Sequence, residues 1–418
     1  MSRSLVTVDA LVVGAGPAGL AAATALKLGG TGTVLVVDRE EEAGGIPRLC
    51  EHTGFGLRDL RRVLSGPEYA RRWVERAVAC GVEIRTRTMV TGWSAPGRAE
   101  MTGPSGVLEI DARTIVLATG ARERPRAARL VPGTRPSGIF TTGQLQQWVH
   151  REHLPVGRRA VVVGAEHVSY SAVMTLRHAG VHPVALVTDL PRPQSYRLFD
   201  LLARVGLRVP VWTRTSVAGV YGRDRVDEVL VRGPDGDERS VAVDTVVFTG
   251  DFIPDNELAR LAGLSIDAGT RGPACAAGGA TTAPGIFAAG NVVHPAETAD
   301  VAARRALSVG RAAATWLRQG GDRTMPGATE RVRVADPLHW VVPNMVDPAR
   351  AGDESVLIRS RVFLDHPHVV MTQGHRLLAS YRLRHMIPNR SHHIPSDWWG
   401  RLRPGQDVLI SVSPRPGG

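Results

Sequence analysis

Three glycines, Gly14, Gly16 and Gly19, stand between an aliphatic run (Val8 to Val13) and an Ala/Leu-rich run (Pro17 to Leu28). The spacing suits a turn that lays a pyrophosphate on a helix N-terminus. Gly14 allows the tight turn, Gly16 lets backbone approach the phosphates, and Gly19 lets helix and strand pack closely. Ala15, Pro17 and Ala18 complete the turn, whose free N–H groups and helix dipole favour an anion. Asp38, with Arg39 behind it, ends a second strand-like run (Thr33 to Asp38) 19 residues past Gly19. That is where a carboxylate reaches ribose hydroxyls. The glycine pattern alone is weak. With a strand before it, a helix after it and the acid in place, it predicts dinucleotide binding.

A second copy of this pattern begins near residue 159. Arg159–Val163 reads as a strand, Ser169–His178 as a helix and Val184–Thr188 as a strand. Gly164, Glu166 and Ser169 fall at the three glycine positions, and Asp189 at the ribose acid. A glutamate at the middle position brings bulk and negative charge to where a pyrophosphate would lie. The expectation is a domain kept as scaffold, with NAD(P) binding through Asp189 as the alternative.

These elements need supports. A helix is expected over 68–80, with strands at 83–87, 114–117, 208–212, 228–231, 245–249 and 285–289. A long helix is expected over 300–317, followed by a linker at Gln319. The last 88 residues are strand-rich (355–364, 368–372, 377–383, 408–412) and carry seven of the 14 histidines. The fold class is α/β: two doubly wound Rossmann-like dinucleotide-binding domains plus a small β-rich C-terminal domain. The expected division is 1–152 with 273–320 (discontinuous, cofactor-binding), 153–272 (NAD(P)-binding-like) and 330–418.

Composition removes other classes. The chain has 418 residues, 43% hydrophobic and 22% charged, an ordinary globular balance. Three cysteines without a CxxC (Cys50, Cys80, Cys275) exclude a disulfide framework and a four-cysteine metal or cluster site. The net charge of +11 comes from 50 arginines and Lys27, spread among acids. A nucleic-acid surface would concentrate such charge, so none is expected. With no apolar run near a membrane span and no signal-peptide layout, a cytoplasmic protein is expected.

Three more segments surround the first unit: Gly44-Gly45, Ala118-Thr119-Gly120 after a strand, and Gly290-Asn291 after another. With them the chain resembles, over roughly residues 5–318, the two-dinucleotide-binding-domain flavoproteins that include the pyridine nucleotide–disulfide reductases. The resemblance implies FAD, held by Gly14 to Gly19, Asp38, Arg39, Gly45, Val90, Ala118, Thr119, Gly120, Gly290 and Asn291. There are two departures. Asn291 replaces the usual aspartate at the flavin ribityl chain, and the redox cysteine pair is absent. The chain looks closer to the FAD subunits of opine oxidase, hydrogen cyanide synthase and dye-linked amino-acid dehydrogenases, and to relatives encoded beside glycerol-3-phosphate dehydrogenases.

The family places the loop from Gly45 near the isoalloxazine, which makes Arg48 and His52 candidates for anion binding and proton transfer. Cys50 reads as a small buried hydrophobe. Arg122, Arg124, Arg126 and Arg129 read as a solvated face. The C-terminal histidines match no metal template, so no metal is expected. Trp398-Trp399 reads as core or interface. The expected activity is an FAD-dependent oxidoreductase, a dehydrogenase or oxidase subunit taking hydride from a small amine or hydroxy substrate and passing electrons to a partner subunit, oxygen or a quinone-like acceptor. The alternatives are an NAD(P)H-dependent flavin reductase and a non-catalytic FAD-bearing scaffold subunit.

Overall fold

Residues 4–195, 206, 208–295, 297–321, 330–347 and 355–413 are described in the computed structural model. The linker expected after Gln319 lies largely outside them.

The first unit forms as its sequence requires. Strand β1 (Ser4–Val13) buries its aliphatic half, helix α1 (Pro17–Leu28) starts with proline at its first turn and ends at Gly29, and strand β2 (Val34–Val37) is wholly buried. β1 lies between β2 and the strand Gly106–Leu117, parallel to both. Glu83–Arg85 extends the sheet beyond β2, and Ile286–Ala288 pairs in parallel with residues 115–117 from 171 positions later. The sheet is therefore discontinuous in sequence. Its other side ends in an antiparallel hairpin, Met89–Ala95 and Arg98–Gly103, which no sequence signal indicated.

Small residues set the layer above the sheet. The long helix Ala299–Arg318 lies against α1 through Ala303, Ala306, Ala313 and Ala314, all buried. α2 (Gly66–Ala79) buries Tyr69 and Trp73, and both donate to the Asp59 carboxylate at 2.6 and 3.0 Å.

The second sheet is parallel throughout, in the order Ile139–Thr141, Thr245–Phe248, Arg159–Val163, His182–Val187, Val211–Trp212. It takes up residues 139–141, ahead of the boundary expected at 153. A three-stranded antiparallel insertion (Ser216–Gly222, Val226–Arg232, Glu238–Ala242) covers part of it.

Of the arginines expected to form a solvated face, Arg122 is exposed and Arg124, Arg126 and Arg129 are half-buried; Arg122, Arg124 and Arg129 bond across the crossover from the first sheet to the second. Arg124 pairs with Asp251 at 2.9 Å and Arg122 with Glu257 at 2.5 Å. Arg129 donates to the Thr249 and Gly250 carbonyls.

Beyond residue 330 lie a five-stranded sheet and a three-stranded one around Trp398 and Trp399, both buried. Trp340, Val342 and Leu357 join this part to Cys275, Ala288 and Val293 of the first unit.

Candidate functional site

The first glycine turn is built by backbone contact. Gly14 has φ +106°, and a Cβ there would overlap the Ala118 carbonyl; one at Gly19 would overlap Gly14 itself. Gly45 has φ +66°, and its Cβ would lie 2.8 Å from the Gly16 Cα. Gly44 N–H donates to the Ala15 carbonyl at 2.8 Å. The 44–45 loop and the phosphate turn thus touch main chain to main chain, with Gly45 the position that admits no side chain.

Asp38 fixes the turn from the strand end. Its carboxylate accepts from Ala15 N–H at 2.6 Å and from Glu40 N–H at 2.9 Å. Each oxygen keeps a lone pair for a ribose hydroxyl. The strand carrying buried Val90 starts beside it, since Thr88 N–H donates to the Asp38 carbonyl at 2.8 Å. Arg39 is exposed and lies 3.6 Å from Asp255. Thr119 donates to the Asp255 carbonyl at 2.6 Å and Gly120 accepts from Asp255 N–H at 2.9 Å, which clamps Ala118–Gly120. A Cβ on Gly290 would lie 2.5 Å from that of Ala18. The start of α1 has no side-chain cap and no acid in its first turn. The surroundings are a Cβ-free cradle with open helix donors, which fits a dinucleotide pyrophosphate.

Asn291 departs from the expected role. Its amide donates to the Glu297 carbonyl at 3.2 Å and accepts from Glu297 N–H at 3.1 Å. The side chain closes the loop leading to the long helix.

Arg48 and His52 are not brought together. Arg48 braces the glycine loop through Glu42 at 3.1 Å and the Gly45 carbonyl at 3.3 Å. His52 bridges the two units. Its Nδ1 lies 3.0 Å from the Thr53 carbonyl, which can only accept, so Nδ1 carries the proton. Nε2 then accepts from the Ser171 hydroxyl at 2.8 Å. Gln146 donates to Ser171 at 2.8 Å and accepts from the Cys50 thiol at 3.6 Å. Burial pushes the Cys50 thiol up to about 12, so it stays protonated.

The second unit repeats the turn but fills it. Glu166 N–H donates to Ser169 Oγ at 3.2 Å, Ser169 Oγ and Thr249 Oγ1 lie 2.7 Å apart, and Thr249 donates to Glu166 Oε1 at 2.7 Å. The other carboxylate oxygen accepts from Ala165 N–H at 3.0 Å. Ala15 N–H gives its bond to Asp38 across the sheet, whereas Ala165 N–H gives its own to a side chain inside the turn. Asp189 is exposed. His167, held down to about 4 chiefly by burial, bonds Ser195 through Nδ1 at 2.7 Å. Glu123 lies close by, its carboxyl raised by burial although Gly143 and Gly250 N–H donate to it. Sequence reading missed Thr249, although Thr249-Gly250 after the strand 245–248 repeats Thr119-Gly120.

Among the described residues, no cluster of three or more His, Cys, Asp or Glu could hold a metal, and no helix is long and apolar enough to cross a membrane.

A discontinuous sheet with a dinucleotide cradle, joined to a second unit of the same design, defines a flavoprotein of the two-dinucleotide-domain type. The chain belongs to the pyridine nucleotide-disulphide oxidoreductase family, whose model matches residues 8–306. It is similar to the ferredoxin reductase component of chlorobenzene dioxygenase from Cupriavidus sp. (strain PS12), 31% identical over 258 residues, covering 56% of this chain and 55% of that one. It is also similar to an opine oxidase subunit from Agrobacterium tumefaciens (strain Ach5), 26% identical over 338 residues, 71% of this chain and 64% of that one. The matches thus span between about half and two thirds of the curated relatives' length. T. acidophilum thioredoxin reductase shares the fold, with TM-score 0.62 and 18% identity over 74% of this chain and 98% of that one.

Proposed function

We propose that the chain is an FAD-dependent dehydrogenase or oxidase subunit whose flavin is reduced by a small amine or hydroxy substrate, not by NAD(P)H. The closed ring of Glu166, Ser169 and Thr249 carries this reading. A nucleotide pyrophosphate in the second unit would have to break that ring and face its carboxylate. The lack of a cysteine pair in the sequence and the similarity to the opine oxidase subunit support the same reading.

Bound FAD supplies the two-electron acceptor for a substrate C–H bond. The α1 donors would hold the pyrophosphate, while Asp38, which holds the turn, would accept from the ribose. Arg48 keeps the glycine loop against Gly16, which fixes the loop above the cradle. His52 Nε2 is the nitrogen that takes a substrate proton, on exchanging the Ser171 hydroxyl for it.

One observation favours a second reading. The 31% identity to a ferredoxin reductase component is consistent with reduction by NAD(P)H. Anaerobic mixing separates the two. The purified yellow protein is mixed with a panel of secondary amino acids and 2-hydroxy acids, and separately with NADH and NADPH. Bleaching by a panel member with none by the nucleotides supports the proposal. Bleaching by a nucleotide alone overturns it.

A further inference from the structure

A cavity of about 300 Å³ lies where the long helix and the strand Ile286–Ala288 meet the C-terminal sheets. Arg304 and Arg305, consecutive on the long helix, both line it. Neither guanidinium has an ion pair or hydrogen bond among the described residues. His393 and His294 line it too. His294 is 4% exposed, and its Nδ1 has no hydrogen-bond partner; the nearest carboxylate oxygen, on Glu297, is 3.9 Å away. Native interiors rarely leave such a nitrogen unsatisfied. Burial, and then the field of Arg305, hold both histidines below the usual range. The uncompensated charge therefore sits on the two arginines, and the histidines are neutral hydrogen-bonding groups.

The rest of the wall defines the ligand further. Ala276, Val293, Val309, Val342 and Pro343 give it an apolar side. Glu297 contributes one carboxylate, already engaged by the Ser391 hydroxyl and lying 3.8 Å from buried Arg359. A bare inorganic ion would leave the apolar side empty, and a multiply charged phosphate would face Glu297. A planar carboxylate matches a guanidinium fork, and the volume suits a small organic molecule.

We propose that this cavity binds a small organic carboxylate, gripped by Arg304 and Arg305 with His294 satisfied by the ligand. Nothing in this depends on which reductant serves the flavin. Gly290 borders both the cavity and the cradle.

The test is calorimetric titration of the flavin-containing protein at low salt with succinate, N-acetylglycine, their uncharged amides and inorganic phosphate. Saturable binding of a carboxylate but not of its amide is expected. Arg304→Gln with Arg305→Gln should weaken it about tenfold or more without moving the unfolding temperature, because both side chains reach solvent. Val309→Trp, which fills the cavity, should abolish it. No carboxylate binding, or binding undiminished in the double variant, overturns the proposal. Phosphate binding tighter than either carboxylate overturns the ligand class.

Discussion

The Thr249 hydroxyl donates to Glu166 Oε1 at 2.7 Å, and this bond seals the second glycine turn. The equivalent place in the first turn is bare. A Cβ on Gly16 would meet only the Gly45 Cα, at 3.9 Å, an ordinary contact. One chain thus holds both forms of the same turn, one open to a phosphate and one filled by its own side chains.

Gly16→Glu should therefore fold yet carry little flavin, because Glu166 already shows that this turn accepts a glutamate. Flavin affinity should fall about tenfold or more. The check is flavin absorbance per chain, beside a melting curve. A folded variant with full absorbance would remove FAD from the first unit.

Asn291→Asp has the opposite sign from what the family pattern suggests. Restoring the usual carboxylate reads as a gain for the ribityl chain. In the structure it deletes the donation to the Glu297 carbonyl and sets two acceptors face to face. The expected loss is about 1–2 kcal/mol, visible as a lower urea midpoint. An unchanged midpoint with slower flavin release would return Asn291 to the ribityl role.

Residue type set how far the sequence could be read. Gly14, Gly19, Gly45 and Asp38 act through absent side chains or one short bond, so spacing alone located the first turn. Glu166 was legible as an obstacle, but its partners were not. It turns back to Ala165 N–H and Thr249, and Thr249 lies 83 residues away. The distant partners of Arg122, Arg124 and Arg129 (Glu257, Asp251 and the Thr249 carbonyl) were hidden because they lie 120 to 135 residues away. The strand at 139–141 was missed because three residues carry no periodicity.

Cys50 should be chemically silent. With its thiol pushed up to about 12, almost no thiolate exists at pH 8. Iodoacetamide on the native protein should label half-buried Cys80 before buried Cys50 and Cys275, and Cys50→Ser should leave flavin reduction unchanged. Peptide mapping reads the sites. Rapid alkylation of Cys50 would make it a reactive group.

Acid should destabilise the fold in a defined window. His167, His339 and His392 are held down to about 4, each chiefly by burial, while an unfolded histidine titrates near 6.5. The unfolded chain therefore binds more protons between these values. Stability is full above about pH 6.5 and falls toward pH 4. Unfolding temperature measured from pH 7.5 to 4.5 should drop across that range, and His167→Gln should shallow the slope. A flat profile would mean that these rings are solvated.

The flavin's reductant depends on whether the second unit still takes a nicotinamide nucleotide. Anaerobic stopped-flow mixing of the wild type with NADH at micromolar concentration addresses this directly, with Glu166→Gly run in parallel. Slow or absent bleaching of the wild type, with faster bleaching of the variant, is the expected result. Fast bleaching of the wild type would contradict the account and make the protein a nucleotide-driven reductase.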